Sequence, residues 1–304
     1  MGVLPHPTLA FLPYGHLRAE GSPRKPATVS RTMIIIDLHN HTHASHGKNT
    51  VAQMVAAAKS RGLAIYGFSE HSPRPLAYSY PTEYRDRLTR LFPKYAEEVL
   101  HYKHNDPDLK VLFGMELDWF EAETEFMTNA IAEYPFDYII GGIHFLGTWG
   151  FDNTAKDWQE GPERCEEHYV AYYRTMKKMA LSGLVNIVAH PDLIKIFTVD
   201  TFRSWLEKPG SLDLIADALT ATRDAGMAME ISSAGLRKPC GEIYPGPKIM
   251  ALARDLDVPI TFGSDAHDDQ TPAHAFDQLA AYARLYGYTH SLLFEKGAKQ
   301  EIAF

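Results

Sequence analysis

Seven short apolar runs recur along this chain, at residues 33–38, 64–69, 110–116, 136–143, 185–189, 227–231 and 258–262, and nearly every one stops at a histidine or an acid. Between them lie stretches with helical periodicity: 50–62, with Thr50 as a capping residue and Gly62 as a stop, 82–104, 123–133, 163–181, 212–225, 247–255 and 272–285. Pro93 is expected to break or kink the second of these. Strands that are apolar on both faces belong to parallel sheets covered by helices. Seven such β-α units predict an α/β fold, a distorted, TIM-like (β/α)7 barrel that is closed or nearly so. A last run, 291–294, is expected to be an eighth short strand or an edge piece. In barrels of this kind the chemistry sits at the C-terminal ends of the strands. A doubly wound sheet would gather its functional groups at one switch point instead.

The strand-end residues are metal-ligand types. His39 and His41 lie two apart at the end of the first run and therefore face the same way; Asp37 is placed to orient His39 from behind. His71 follows the second run, Glu116 ends the third, His144 follows Gly141-Gly142-Ile143, and His190 precedes Pro191. Asp265 and His267 repeat the spacing of two after the seventh run. The glycines before His144 allow close approach of backbone to a ligand. A glutamate at the end of an apolar strand needs a charge partner or a cation, because an unpaired buried carboxylate is very costly.

These segments resemble the polymerase and histidinol phosphatase (PHP) superfamily of metal-dependent phosphoesterases. The resemblance runs from about Met33 to the C-terminus. It is carried by Asp37-Leu38-His39-Asn40-His41-Thr42, Ser69-Glu70-His71-Ser72, Gly114-Met115-Glu116-Leu117-Asp118, Gly142-Ile143-His144, Ala189-His190-Pro191 and Gly263-Ser264-Asp265-Ala266-His267. It implies a centre of two or three divalent ions. His39, His41, Glu116 and Asp265 would hold one ion; Glu116, His144 and His190 a second, with Glu116 bridging; His46, His71 and His267 a third. Mixed imidazole and carboxylate donors accept zinc, iron or manganese. The stretches around Trp149-Gly150-Phe151-Asp152 and Glu230-Ile231-Ser232-Ser233 resemble the monofunctional histidinol-phosphate phosphatases of that superfamily, implying L-histidinol phosphate as substrate and a place in histidine biosynthesis.

A cluster of cations suits a phosphate ester, attacked directly by a metal-bridging hydroxide generated from water of lowered pKa. Glu116, Asp265 and His267 are then the catalytic candidates, the last two also, alongside a metal-bound water, for the proton to the leaving alkoxide. Arg237 is the first choice for gripping phosphate oxygens, since guanidinium matches their geometry. Lys238 and Arg74 are further candidates. Glu70 is expected to orient His71 or to meet a substrate amine. The loop 145–164, with Trp149, is expected to cover the substrate.

Composition bounds the alternatives. The 304 residues carry a formal charge of −8, which disfavours long nucleic acid, and no apolar run approaches a bilayer span. Two cysteines, Cys165 and Cys240, form no disulfide framework and suit a cytoplasmic location. The expected partner is therefore a small phosphate ester, with neither long nucleic acid nor a membrane. Residues 1–32, rich in proline, are expected to be a poorly ordered extension ahead of a phosphoesterase barrel at 33–304. Competing readings are a phosphoesterase of the same scaffold acting on nucleotides or phosphotyrosine, an amidohydrolase, and a degenerate binding barrel. A degenerate barrel would be expected to lose ligands, and this chain retains all nine.

Overall fold

The computed structural model describes residues 33–78, 82–159 and 161–304. The expected extension at 1–32 lies outside the described residues. In chain order the strands are β1 Ile36–Asp37, β2 Ile65–His71, β3 Lys110–Asp118, β4 Tyr138–Gly142, β5 Phe145–Leu146, β6 Trp149–Gly150, β7 Ile187–Val188, β8 Ala228–Ser232, β9 Ile260–Gly263, β10 His290–Glu295 and β11 Ala298–Ala303. Seven of them, β1-β2-β3-β4-β7-β8-β9, form one sheet in that order, every pairing parallel. All seven expected apolar runs are represented.

The sheet curls until its first and last members meet. Leu38 N–H donates to the Phe262 carbonyl at 3.2 Å, and His41 N–H to the Ala266 carbonyl at 2.8 Å. Asn40 and Ala266 form a parallel bridge just past the strand ends. Ile36, Leu38, Leu112, Tyr138, Ile140, Ile187, Ala189 and Ala228 fill the interior. The Tyr138 hydroxyl crosses it to the Leu38 carbonyl at 2.6 Å.

Helices cover the outside: α1 Val51–Ser60, α2 Thr82–Asn105, α3 Thr124–Ala132, α4 Pro162–Leu181, α5 Val199–Trp205, α6 Ser211–Asp224, α7 Pro247–Asp255 and α8 Phe276–Leu285. Thr50 caps α1 in a reciprocal capping box with Gln53. Helix α2 runs on through Pro93 rather than ending there. α5 had no counterpart among the expected elements, and α8 begins four residues later than the periodicity from 272 predicts. No described helix is long and apolar enough to cross a membrane.

The run at 291–294 is not an eighth barrel strand. It lies in β10, which pairs antiparallel with β11. The two-residue turn Lys296-Gly297 has positive φ at both positions, the geometry of a primed hairpin turn. Leu293 and Phe294 join the interior cluster. Lys110, the first residue of β3, pairs with Glu295 at 2.6 Å. The hairpin therefore closes the N-terminal end of the barrel and leaves the C-terminal end to the side chains described next.

Candidate metal centre

The alternation at the end of β1 turns His39 and His41 into the mouth of the barrel. Asn40 between them points back, its amide donating to the Asp37 and Gly67 carbonyls at 3.3 and 3.1 Å. Glu116, 1 % exposed, projects from β3 into the middle of the imidazoles. Its Oε2 lies 3.0 Å from His71 Nδ1, 3.3 Å from His39 Nε2 and 3.4 Å from His41 Nε2. Its Oε1 lies 3.1 Å from His190 Nε2 and 3.5 Å from His144 Nε2. Asp265 Oδ1 lies 3.2 Å from His41 Nε2 and 3.7 Å from His39 Nε2. One carboxylate thus divides five imidazoles into two sets, one per oxygen.

Donor atoms converge within 4.8 Å of one another in the groups His39–His41–Glu116, Glu116–His144–His190, His71–Asp118–His144 and His41–His71–His267. The first two fall within the ligand sets implied by the family resemblance. The last takes His41 where that resemblance puts His46. The His46 ring lies tilted against His267, centroids 4.1 Å apart, and its Nδ1 lies 3.1 Å from the Tyr84 hydroxyl.

The donor set fits cations. His39 Nε2, His41 Nε2, both nitrogens of His71, His190 Nδ1 and His267 Nε2 are buried, with no hydrogen-bond partner among the described residues. Buried polar atoms are nearly always satisfied, so a concentration of orphans around two carboxylates marks a place built for a positive ion. Burial opposes the charges of Glu116 and Asp265, yet the surrounding histidines hold both well below the usual carboxylate range. Burial also opposes charge on His41, but Asp265, Glu70 and Glu116 raise it to about 9. His144 is likewise raised to about 9, by Glu116 and Asp118 against its burial. Burial, with the neighbouring His41, pushes His267 down to about 3.

Three buried acids hold the rings from behind. Glu230 Oε1 meets His39 Nδ1 at 2.8 Å while Oε2 accepts the His190 N–H at 2.7 Å. Glu70 Oε1 lies 3.3 Å from His41 Nδ1, and its Oε2 accepts from the Thr42 N–H and hydroxyl. Asp118 Oδ1 meets His144 Nδ1 at 2.5 Å. Such contacts fix the tautomer and leave Nε2 facing the cation. Two glycines make room. A Cβ at Gly142 would sit 2.6 Å from both Glu116 Oε1 and His144 Cε1, and one at Gly263 would collide with Glu230. His190 and Asp265 take positive φ, 23° and 51°, backbone strain of the kind that clusters at functional sites.

Several expectations change. Asp37 does not orient His39; it accepts from Ser264 N–H and Oγ and from Ala273 N–H, tying the β9 exit to β1. Glu230 has the orienting position, signalled by a lone carboxylate inside the apolar run of β8. Glu70 serves the ring of His41 rather than that of His71, and it is fully buried, which removes it from contact with a substrate amine. Asp118, two residues after Glu116 on the same strand face, is a second supporting acid that the alternation could have revealed.

Among the cations, Arg237 turns to the backbone: Nη2 donates to the Ser264 and Asp265 carbonyls at 2.7 and 3.0 Å. Lys238 and Arg74 line the cleft above the cluster, a cavity of about 270 Å³ whose walls also include Tyr84, Leu193 and Tyr244. Arg74 pairs with Asp118 through Nε at 2.5 Å and Nη2 at 3.1 Å. Trp149 packs 4.3 Å from His168 and 5.2 Å from Trp158, lining a separate depression. From its loop it is Asp152 and Asn153 that reach the cleft.

The PHP domain model matches residues 37–234, more than half of the chain. The chain is 32% identical to a probable histidinol-phosphatase of Deinococcus radiodurans over 77% of its own length and 86% of that protein's. It is 27% identical to the histidinol-phosphatase of Bacillus subtilis over 79% and 96%. In fold it is similar to a histidinol phosphate phosphatase from Lactococcus lactis solved with zinc, L-histidinol and phosphate, with TM-score 0.69, 18% identity, and 87% and 98% of the two chains covered. The parallel barrel and its histidine-lined mouth are those of the PHP domain family, to which this chain belongs.

Proposed function

We propose that this chain is a metal-dependent phosphomonoesterase whose substrate is L-histidinol phosphate, cleaved to L-histidinol and phosphate. The observation that carries the chemistry is Glu116, with five imidazole nitrogens 3.0–3.5 Å from its two oxygens at the floor of an open cleft. His39, His41, Glu116 and Asp265 would hold one divalent ion, Glu116, His144 and His190 another. Zinc, iron or manganese bound by these donors would supply Lewis acidity toward the phosphate and activate water near neutral pH. The substrate assignment is supported by the names of the Deinococcus and Bacillus relatives.

The chain's own residues do the rest. Glu230, Glu70 and Asp118 keep three rings in register before substrate arrives, so no reorganisation is needed at the reacting centre. Lys238 at the cleft wall offers a point charge to the phosphate oxygens. Arg74, clamped by Asp118, adds positive potential at a fixed place. Leu193, Tyr84 and Tyr244 give apolar walls suited to an imidazole. Asp152 supplies a negative group outside the metal-ligand set, suited to the substrate ammonium.

The test is steady-state hydrolysis of L-histidinol phosphate against a panel of phosphomonoesters and one bis-ester, with metal content measured on the same sample. The expected result is a kcat/KM for histidinol phosphate at least tenfold above any other substrate. A flat panel would remove the substrate assignment, and preference for the bis-ester would remove the monoesterase.

A further inference from the structure

Tyr84, in the first turn of α2, touches the supports of two different corners of the centre with two different parts of its side chain. Its hydroxyl lies 3.1 Å from His46 Nδ1. Its ring face lies 4.7 Å from the guanidinium carbon of Arg74, and Arg74 pairs with the same Asp118 that holds His144 Nδ1. The ring also stands nearly edge-on to His71, 6.2 Å away.

The two nitrogens of an imidazole point to opposite edges, and the partner of one decides what the other can do. With Nδ1–H donating to the phenol oxygen, the His46 lone pair lies on Nε2, the tautomer that can bind a cation. His71 Nδ1 faces Glu116 Oε2 at 3.0 Å and His267 Nδ1 the Asp265 carbonyl at 3.0 Å, whereas among the described residues the group facing His46 Nδ1 is the Tyr84 hydroxyl. The His46 ring stacks on His71 at 5.1 Å and lies tilted against His267 at 4.1 Å. Among the described residues it makes no other hydrogen bond that would fix which edge faces the cleft.

We propose that Tyr84 is a positioning residue for a third cation subsite formed by His46, His71 and His267. Its hydroxyl sets the His46 ring, and its face steadies Arg74 on Asp118 and so the His144 corner. This rests on the reading of the cluster as a metal centre, and the experiment separates the two.

The purified protein, saturated with zinc or manganese, is titrated with chelator while ions per chain are counted, for wild type, Tyr84→Phe and Tyr84→Leu, alongside thermal midpoints of the metal-free forms. Tyr84→Phe keeps the face and loses the oxygen. It is expected to weaken one ion by about 10–100-fold, to leave the other two at wild-type affinity and to leave the metal-free midpoint unchanged. Tyr84→Leu is expected to weaken a second ion as well. Wild-type retention of three ions by Tyr84→Phe, or an even loss of all three, overturns the positioning role and leaves the hydrolase reading standing. A wild-type protein that saturates at two ions overturns the third subsite alone. One that binds none overturns both.

Discussion

Glu230 reaches from β8 to His39, its Oε1 2.8 Å from Nδ1, while its other oxygen accepts the backbone N–H of His190 at 2.7 Å. One acid thus holds one residue from each of the two sets that Glu116 divides. Glutamine at this position has one acceptor and one donor end, so either His39 Nδ1–H or His190 N–H would face an amide N–H. Glu230→Gln is expected to cost about 10–100-fold in metal affinity, read as ions retained after dialysis, with kcat/KM falling in parallel. Full metal retention would show that the orientation of His39 does not depend on this carboxylate.

Glu116 carries a heavier load, since both of its oxygens face imidazole sets. Replacing it by glutamine removes one negative charge and one of two acceptor faces. Its loss should exceed that of an outer acid, so Glu116→Gln is expected to lower activity more than about 100-fold and to release at least one ion. Activity within tenfold of wild type would contradict its bridging position.

The two neighbouring cations should separate cleanly. Lys238→Ala removes a group lining the cleft and is expected to raise KM for phosphate esters about tenfold with metal content intact. Arg237→Ala removes the donor to the Ser264 and Asp265 carbonyls. It is expected to lower the thermal midpoint and leave KM nearly unchanged. The reverse pattern would return the phosphate contact to Arg237.

The pH dependence of the metal-free protein has a definite sign. His41 and His144, raised to about 9, hold protons in the fold that the unfolded chain releases near 6.5. Their contribution is complete below 6.5 and lost as pH rises to 9. His267, lowered to about 3, contributes above 6.5 and loses that contribution as pH falls. In chelator the thermal midpoint should therefore peak near pH 6.5. Metal uptake at pH 7.5 should release protons, detected as a buffer-dependent heat of binding. A midpoint rising steadily to pH 9 without metal would contradict the charges assigned to His41 and His144.

The hairpin at the other end should affect stability alone. Leu293 is 1 % exposed and packs into the barrel interior. Leu293→Ala is expected to cost about 2–5 kcal/mol of stability with KM and metal content unchanged. A change in metal stoichiometry would show that the two ends of the barrel are coupled.

The seven strands were legible because a parallel strand buried on both faces cannot hide its apolar run, and the candidate ligands because they punctuate those runs. The supporting acids were only half legible. Glu230 and Asp118 sit within strands, where a carboxylate reads equally as ligand or partner, and only the fold shows which ring each one meets. Asp37 precedes His39 by two, yet proximity in sequence misled, because its side chain crosses to Ser264 and Ala273. Arg237 ends a single 3-10 turn and Trp149 opens the two-residue strand β6, elements too short for side-chain direction to be read from a period. The outer arm of the hairpin, Ala298–Ala303, escaped notice because it is exposed along nearly its whole length and carries no apolar run.

The seam at Asn40 and Ala266 runs between His39 and His41 on one side and Asp265 and His267 on the other. Of His39, His41, Glu116 and Asp265, three are thus contributed by the two opposite ends of the barrel sequence and one by β3. A nascent chain lacking its last β-α unit can form strands but cannot assemble that set. Bound cations would then act as a clasp across the ring, and their loss should loosen first the join between the oldest and the newest parts of the polypeptide.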